Sequence, residues 1–201
     1  MKKLRAPALL AVAAALSLGI AACGGDDDDD SDANGDTTEA VATSVALTGE
    51  QTVLVLDADT AGVLTELGVE VAPVEPAGAE GDGIAFPITG GEIDTETLAG
   101  TIDHSGGLVF SAGGTDVELT DFVVDTTAGT LTASTSDGAS LPTLDLDLAA
   151  VEQSADGDAI VLTGITAALS ADAAGALNDA FGIDALEGGI PIGDVTVTAT
   201  G

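Results

Sequence analysis

His104 is the only histidine in this 201-residue chain, which has no Tyr or Trp and places its single Met and single Cys at positions 1 and 23. It is therefore the one side chain beyond the N-terminal segment suited to ligating a transition metal or haem iron, or to acting as a base near neutral pH. It sits in the run Gly100, Thr101, Ile102, Asp103, His104, Ser105, Gly106, Gly107, Leu108. A lone histidine does not make a structural metal site. No Gly-x-Ser-x-Gly elbow offers it a nucleophile, so its simplest role is to bond a turn at a strand end. Asp145 and Asp147 alternate with Leu144, Leu146 and Leu148. In a strand the two carboxylates share one face and the leucines the other, which makes the acids a solvated face and the first pair to test for Ca²⁺. Asp57 with Asp59, and Asp156 with Asp158, repeat that spacing. With 35 acidic residues in the chain, a catalytic carboxylate pair has no distinguishing mark. There is no cofactor fingerprint and no Trp or Tyr platform for sugars. The expectation is a non-enzymatic protein without a resident cofactor, with Ca²⁺ as an alternative.

The N-terminus carries the clearest motif. Lys2, Lys3 and Arg5 precede an uncharged run from Ala6 to Ala22, the layout of a secretory signal. Ile20, Ala21, Ala22 and Cys23 resemble the lipobox of bacterial lipoproteins, which implies a signal peptide over 1-22 and a lipidated Cys23. The mature protein is then extracytoplasmic and held at the cell membrane by that lipid. With no second cysteine it has no internal disulfide. Residues 23-42, rich in Gly, Asp, Ser, Asn and Thr and including the run Asp26 to Asp30, form an acidic flexible tether.

All three basic residues fall in the signal peptide, so their removal takes the formal charge from -32 to -35. A mature chain with no Lys or Arg repels phosphates, which makes nucleic acid and anionic lipid headgroups poor partners. Salt or cations would screen its self-repulsion. Apolar residues nevertheless make up 45% of the chain, which separates it from a disordered polyanion.

The elements that must position these side chains are short strands. Ile84 to Ile88, Leu98 to Asp103, Leu108 to Ser111, Thr115 to Val124, Gly129 to Ser134, Ser140 to Leu148, Ala159 to Leu169 and Asp194 to Thr200 are extended. The pairs Gly90 with Gly91, Gly106 with Gly107, Gly113 with Gly114 and Asp137 with Gly138 are expected as tight turns. Thr52 to Leu56 leads into a helix over 58-67, capped by Asp57 and stopped by Gly68. The segment Leu56 to Leu64 lines up with Leu169 to Leu177, so a second strand and helix repeat the first. Two arrangements fit: an internal duplication, or two equivalent helices plugging opposite ends of one β structure. The fold class is mainly β, an antiparallel sandwich or barrel-like domain over 43-201 with two short helices in equivalent positions of an internal pseudo-repeat.

Phe86, Pro87, Ile88, Thr89, Gly90 and Gly91, then Gly100 to Leu108 and the later strand and helix, resemble secreted actinobacterial proteins of unassigned function. More distantly the chain is similar to HtaA-type domains, β-rich surface modules of haem uptake. That resemblance implies haem held by a tyrosine and supported by a histidine; His104 alone has a matching residue type, since the chain contains no tyrosine. Haem capture would require His104 to face an apolar cleft. The sequence as a whole points to a surface-anchored binding or interaction module with an exposed apolar patch or groove. A haem-binding domain, a Ca²⁺-binding protein and a purely structural surface protein are the alternatives.

Overall fold

The computed structural model describes residues 44–201; the signal segment 1-22, Cys23 and the tether 23-42 lie outside the described residues. In chain order the elements are β1 (Ser44–Ala46), β2 (Gly49–Leu56), α1 (Ala58–Glu66), β3 (Glu70–Val74), β4 (Gly78–Glu80), β5 (Gly83–Asp94), β6 (Gly100–His104), β7 (Gly107–Ala112), β8 (Thr115–Asp125), β9 (Thr130–Thr135), β10 (Ser140–Asp147), β11 (Glu152–Asp156), β12 (Ala159–Leu169), α2 (Ala171–Phe181) and β13 (Pro191–Thr200).

Period-two patterning builds the strands. β13 buries Val195, Val197 and Ala199 and leaves the intervening Asp194, Thr196 and Thr198 less buried; β10 buries Leu144 and Leu146 and exposes Asp145 and Asp147. A one-residue slip would put the carboxylates inside, so the pattern holds the register. Eight strands close on themselves in the order β5, β2, β13, β12, β10, β9, β8, β6 and back to β5, every neighbour antiparallel. Closure pairs each of these eight strands on both sides and leaves the edges to the strands added outside the ring. The sheet is thus a barrel, the second of the two forms expected from the sequence. β1 and β4 add to β5, β11 adds to β12, and β7 with β3 extends the sheet beyond β8.

One of the four expected turns is a bend inside a long strand, and a second lies at the break between β6 and β7. Gly90 and Gly91 lie within β5, where the register against β6 shifts between Ile88 and Gly90. Gly91 has φ 114, and a Cβ there would sit 2.2 Å from the carbonyl oxygen of Thr101. Gly106 and Gly107 mark the point where β8 changes partner, its C-terminal half pairing with β6 and its N-terminal half with β7. Glycine within a strand marks a bulge or a close backbone approach as readily as a turn. Gly113–Gly114 and Asp137–Gly138 are the hairpin turns expected of them.

The helices start and stop as the cap residues dictate. Asp57 accepts from the backbone N–H of Asp59 and Thr60, Ser170 accepts from that of Ala173, and Gly182 ends α2 in the left-handed conformation. The strands before them, β2 and β12, both run antiparallel to β13. They are therefore parallel to each other and deliver both helices to the same end of the barrel. The idea of helices at opposite ends fails for that topological reason. Their packing also differs: α2 buries Ala173, Ala174 and Leu177, whereas α1 buries Thr60 alone.

Candidate functional site: an apolar lumen

The side chains pointing inward do not fill the barrel. They leave a cavity of about 280 Å³, close to twice the ~150 Å³ apolar cavity that stays dry and takes up benzene. Eight strands is the size at which side chains either fill the interior or leave room for one small ligand. Leu54, Leu144, Leu146, Leu162, Val195 and Val197 form the wall. Thr60, Val63 and Leu64 of α1 and Leu177 of α2 line one end, and Leu98, Thr126 and Val151 the other. Val63 lines the cavity and is still 43% exposed, so the lining reaches solvent beside α1. Phe86 and Phe122 meet edge to face in the wall, ring centroids 5.2 Å apart. The apolar-in, acid-out alternation of β10 and β13 is the inverse of a barrel that crosses a membrane.

The polar side chains of the lining are five threonines, and each is engaged. Thr60 Oγ1 donates to the Pro191 carbonyl, Thr97 to Asp94 Oδ1, Thr126 to the carbonyls of Leu98 and Gly100, and Thr143 to that of Leu141. Thr52 Oγ1 lies 2.7 Å from His104 Nε2.

His104 ends β6 with 5% of its surface exposed. Its Nδ1 lies 3.0 Å from the Phe122 carbonyl, which can only accept, so Nδ1 carries the proton. In the neutral ring Nε2 is then the acceptor, and the Thr52 hydroxyl donates to it. Burial pushes the imidazole below the ordinary histidine value of 6.5, and the Phe122 carbonyl and the charge of Asp103 pull weakly the other way. Hydroxyl, imidazole and carbonyl follow the order of nucleophile, base and orienting group. The lumen, however, offers no side-chain donor for an oxyanion, and the trio serves as a polar tie across the wall, joining β2, β6 and β8. His104 stands at a strand end, but its partners are the strands β2 and β8 rather than the turn expected from the sequence.

Haem does not fit these residues. His104 is not among the lining side chains, and its Nε2 is already occupied. Among the described residues there is no Tyr, Cys or Met to ligate iron and no Lys or Arg to meet a propionate. Where the resemblance implies a histidine supporting a tyrosine, His104 supports the hydroxyl of Thr52.

Asp145 and Asp147 lie on the outer face of β10 and, with Asp57 and Asp194, line a shallow surface groove. Asp57 caps α1 and Asp147 Oδ1 accepts from the backbone N–H of Ala149. Among the described residues no three His, Cys, Asp or Glu side chains gather as a cation site.

No chemistry-bearing residue marks the lumen, because ordinary strand residues build it. The signal was in the composition. Four Phe with no Trp or Tyr is little aromatic volume with which to fill an eight-stranded interior.

No protein-family model matches the chain, and no curated protein matches it. Among solved structures, the C-terminal domain of HtaA from Corynebacterium glutamicum is similar with a TM-score of 0.56 at 17% identity, over 77% of this chain and 98% of that one. The haem-binding protein HtaB from the same organism gives a TM-score of 0.47 at 11% identity, over 78% of this chain and 95% of that one. At these identities the likeness speaks for architecture alone, and the resemblance carried by Phe86 to Gly91 and Gly100 to Leu108 holds at that level: the chain has the fold of the HtaA C-terminal domain.

Proposed function

We propose that this protein is a non-enzymatic binding module, anchored at the cell surface through Cys23, that holds a small molecule inside its barrel. The observation that carries the reading is the apolar cavity of about 280 Å³, which lies near the lower end of the volumes of small-molecule sites. Its lining contains no acid, base or free nucleophile, which favours holding a ligand over transforming it. The lipobox-like Ile20 to Cys23 and the charged run after it support an exported domain tethered to the membrane.

A test uses the full chain carrying Cys23→Ser, so that no acyl chain enters the assay, with naphthalene as an apolar probe. Naphthalene is expected to bind one per chain. Val197→Phe and Leu162→Phe, which project extra volume into the lumen, are each expected to weaken that binding at least about tenfold while the far-ultraviolet circular dichroism stays unchanged. Unaltered binding in both folded variants would place the ligand outside the barrel.

A further inference from the structure

The composition of the lining restricts what the lumen accepts. We infer that the lumen selects an uncharged, hydrocarbon-rich molecule with neither a carboxylate nor a metal centre, an inference that rests on the lumen being the binding site. The hydroxyl protons of Thr52, Thr60, Thr97, Thr126 and Thr143 are all directed to acceptors of the protein itself. A carbonyl, ether or carboxylate oxygen brought into the cavity therefore leaves water without gaining a side-chain donor. One such unpaired polar group weakens binding by roughly one to two powers of ten, and a buried unpaired charge by more.

Charge acts in the same direction over a longer range. The chain beyond its signal segment carries 35 acidic residues and no Lys or Arg, so an anion is repelled on approach and meets no counter-ion on arrival. The one side chain able to become cationic, His104, holds both ring nitrogens against protein partners. The lining supplies no basic partner for the carboxylates of fatty acids and porphyrins, and the opening beside α1 belongs to a chain whose acids repel them, so both are disfavoured on these grounds. The remaining class is neutral and compact, an aromatic hydrocarbon or small terpene-like molecule of a size set by the 280 Å³ cavity.

The experiment compares naphthalene, 1-naphthoate and haemin on the full chain carrying Cys23→Ser. Because the protein has no Trp or Tyr, naphthyl fluorescence reports binding without interference. Naphthalene is expected to saturate at one per chain, 1-naphthoate to bind at least about thirtyfold more weakly, and haemin to give no one-to-one complex with a shifted Soret band. Equal affinity for naphthoate and naphthalene, with both lost in Val197→Phe, would overturn the selectivity while leaving the lumen as the site. A one-to-one haemin complex abolished by His104→Ala would also overturn it. If neither naphthyl probe binds, the lumen reading falls and the selectivity falls with it.

Discussion

Gly91→Ala is expected to destabilise the domain by about 3 kcal/mol or more, whereas Gly113→Ala lowers stability by only about 1–2 kcal/mol. Both glycines have a positive φ, 114 at Gly91 and 60 at Gly113. A Cβ on Gly113 enters open space, so only the backbone conformation is penalised. A Cβ on Gly91 would stand 2.2 Å from the Thr101 carbonyl oxygen and 2.9 Å from the Ile102 Cα, backbone atoms that cannot rotate away. The clash falls where β5 meets β6, the pairing that closes the barrel. Relieving it means opening the ring or displacing Ile102, which is fully buried. Urea unfolding of both variants checks this; equal midpoints would mean that the strands do not approach so closely.

His104→Ala is expected to lower stability by about 2–4 kcal/mol, since it leaves the Phe122 carbonyl without its donor and opens a void in the wall. A second signature separates this group from the carboxylates. The unfolded histidine takes up a proton as pH falls through 6.5, while the buried ring does so only at lower pH. Between those two values the unfolded chain holds more protons than the native one, so stability falls as pH falls below 6.5. The slope is at most about 1.4 kcal/mol per pH unit, and it ends once the native ring is also protonated. His104→Gln cannot titrate there, so the difference between its profile and that of the unaltered chain isolates the histidine. Unfolding free energies from pH 8 to pH 5 provide the check, and superimposable profiles would mean that the ring is not buried in its neutral form.

Local physics made much of the fold legible in the sequence. Strict alternation announced β10, where Asp145 and Asp147 face out and Leu144 and Leu146 face in. Cap chemistry placed the first helix through Asp57 and Gly68, and the repeat placed the second, which the structure shows capped by Ser170 and ended by Gly182. What stayed hidden depends on contacts distant in sequence. Gly90 and Gly91 look the same in a turn and in a bulge, and only the approach of Thr101 distinguishes them. The strands β3 and β11 were missed because one contains Pro73 and the other, Glu152 to Asp156, is exposed at every position and has no alternation to show. The repeat does not encode strand direction; β13, lying between β2 and β12, makes those strands parallel and sends both helices to one end.

The site was less legible than the fold, because a cavity is a deficit of volume and no residue type announces it. His104 drew notice as the single histidine, and the structure gives it a tie in the wall, between Thr52 and the Phe122 carbonyl. The lumen beside it is built mostly of leucines, valines, isoleucines and phenylalanines that any barrel core would use.

The most direct test of the lumen as the binding site is methyl-resolved NMR of the full chain carrying Cys23→Ser, titrated with naphthalene. Ring-current shifts concentrated on the methyls of Leu54, Leu144, Leu162 and Val197, with the outward-facing Val55 unmoved, are the predicted result. Shifts confined to Val55 and the outer groove, with those lumen methyls unmoved at saturation, would contradict it.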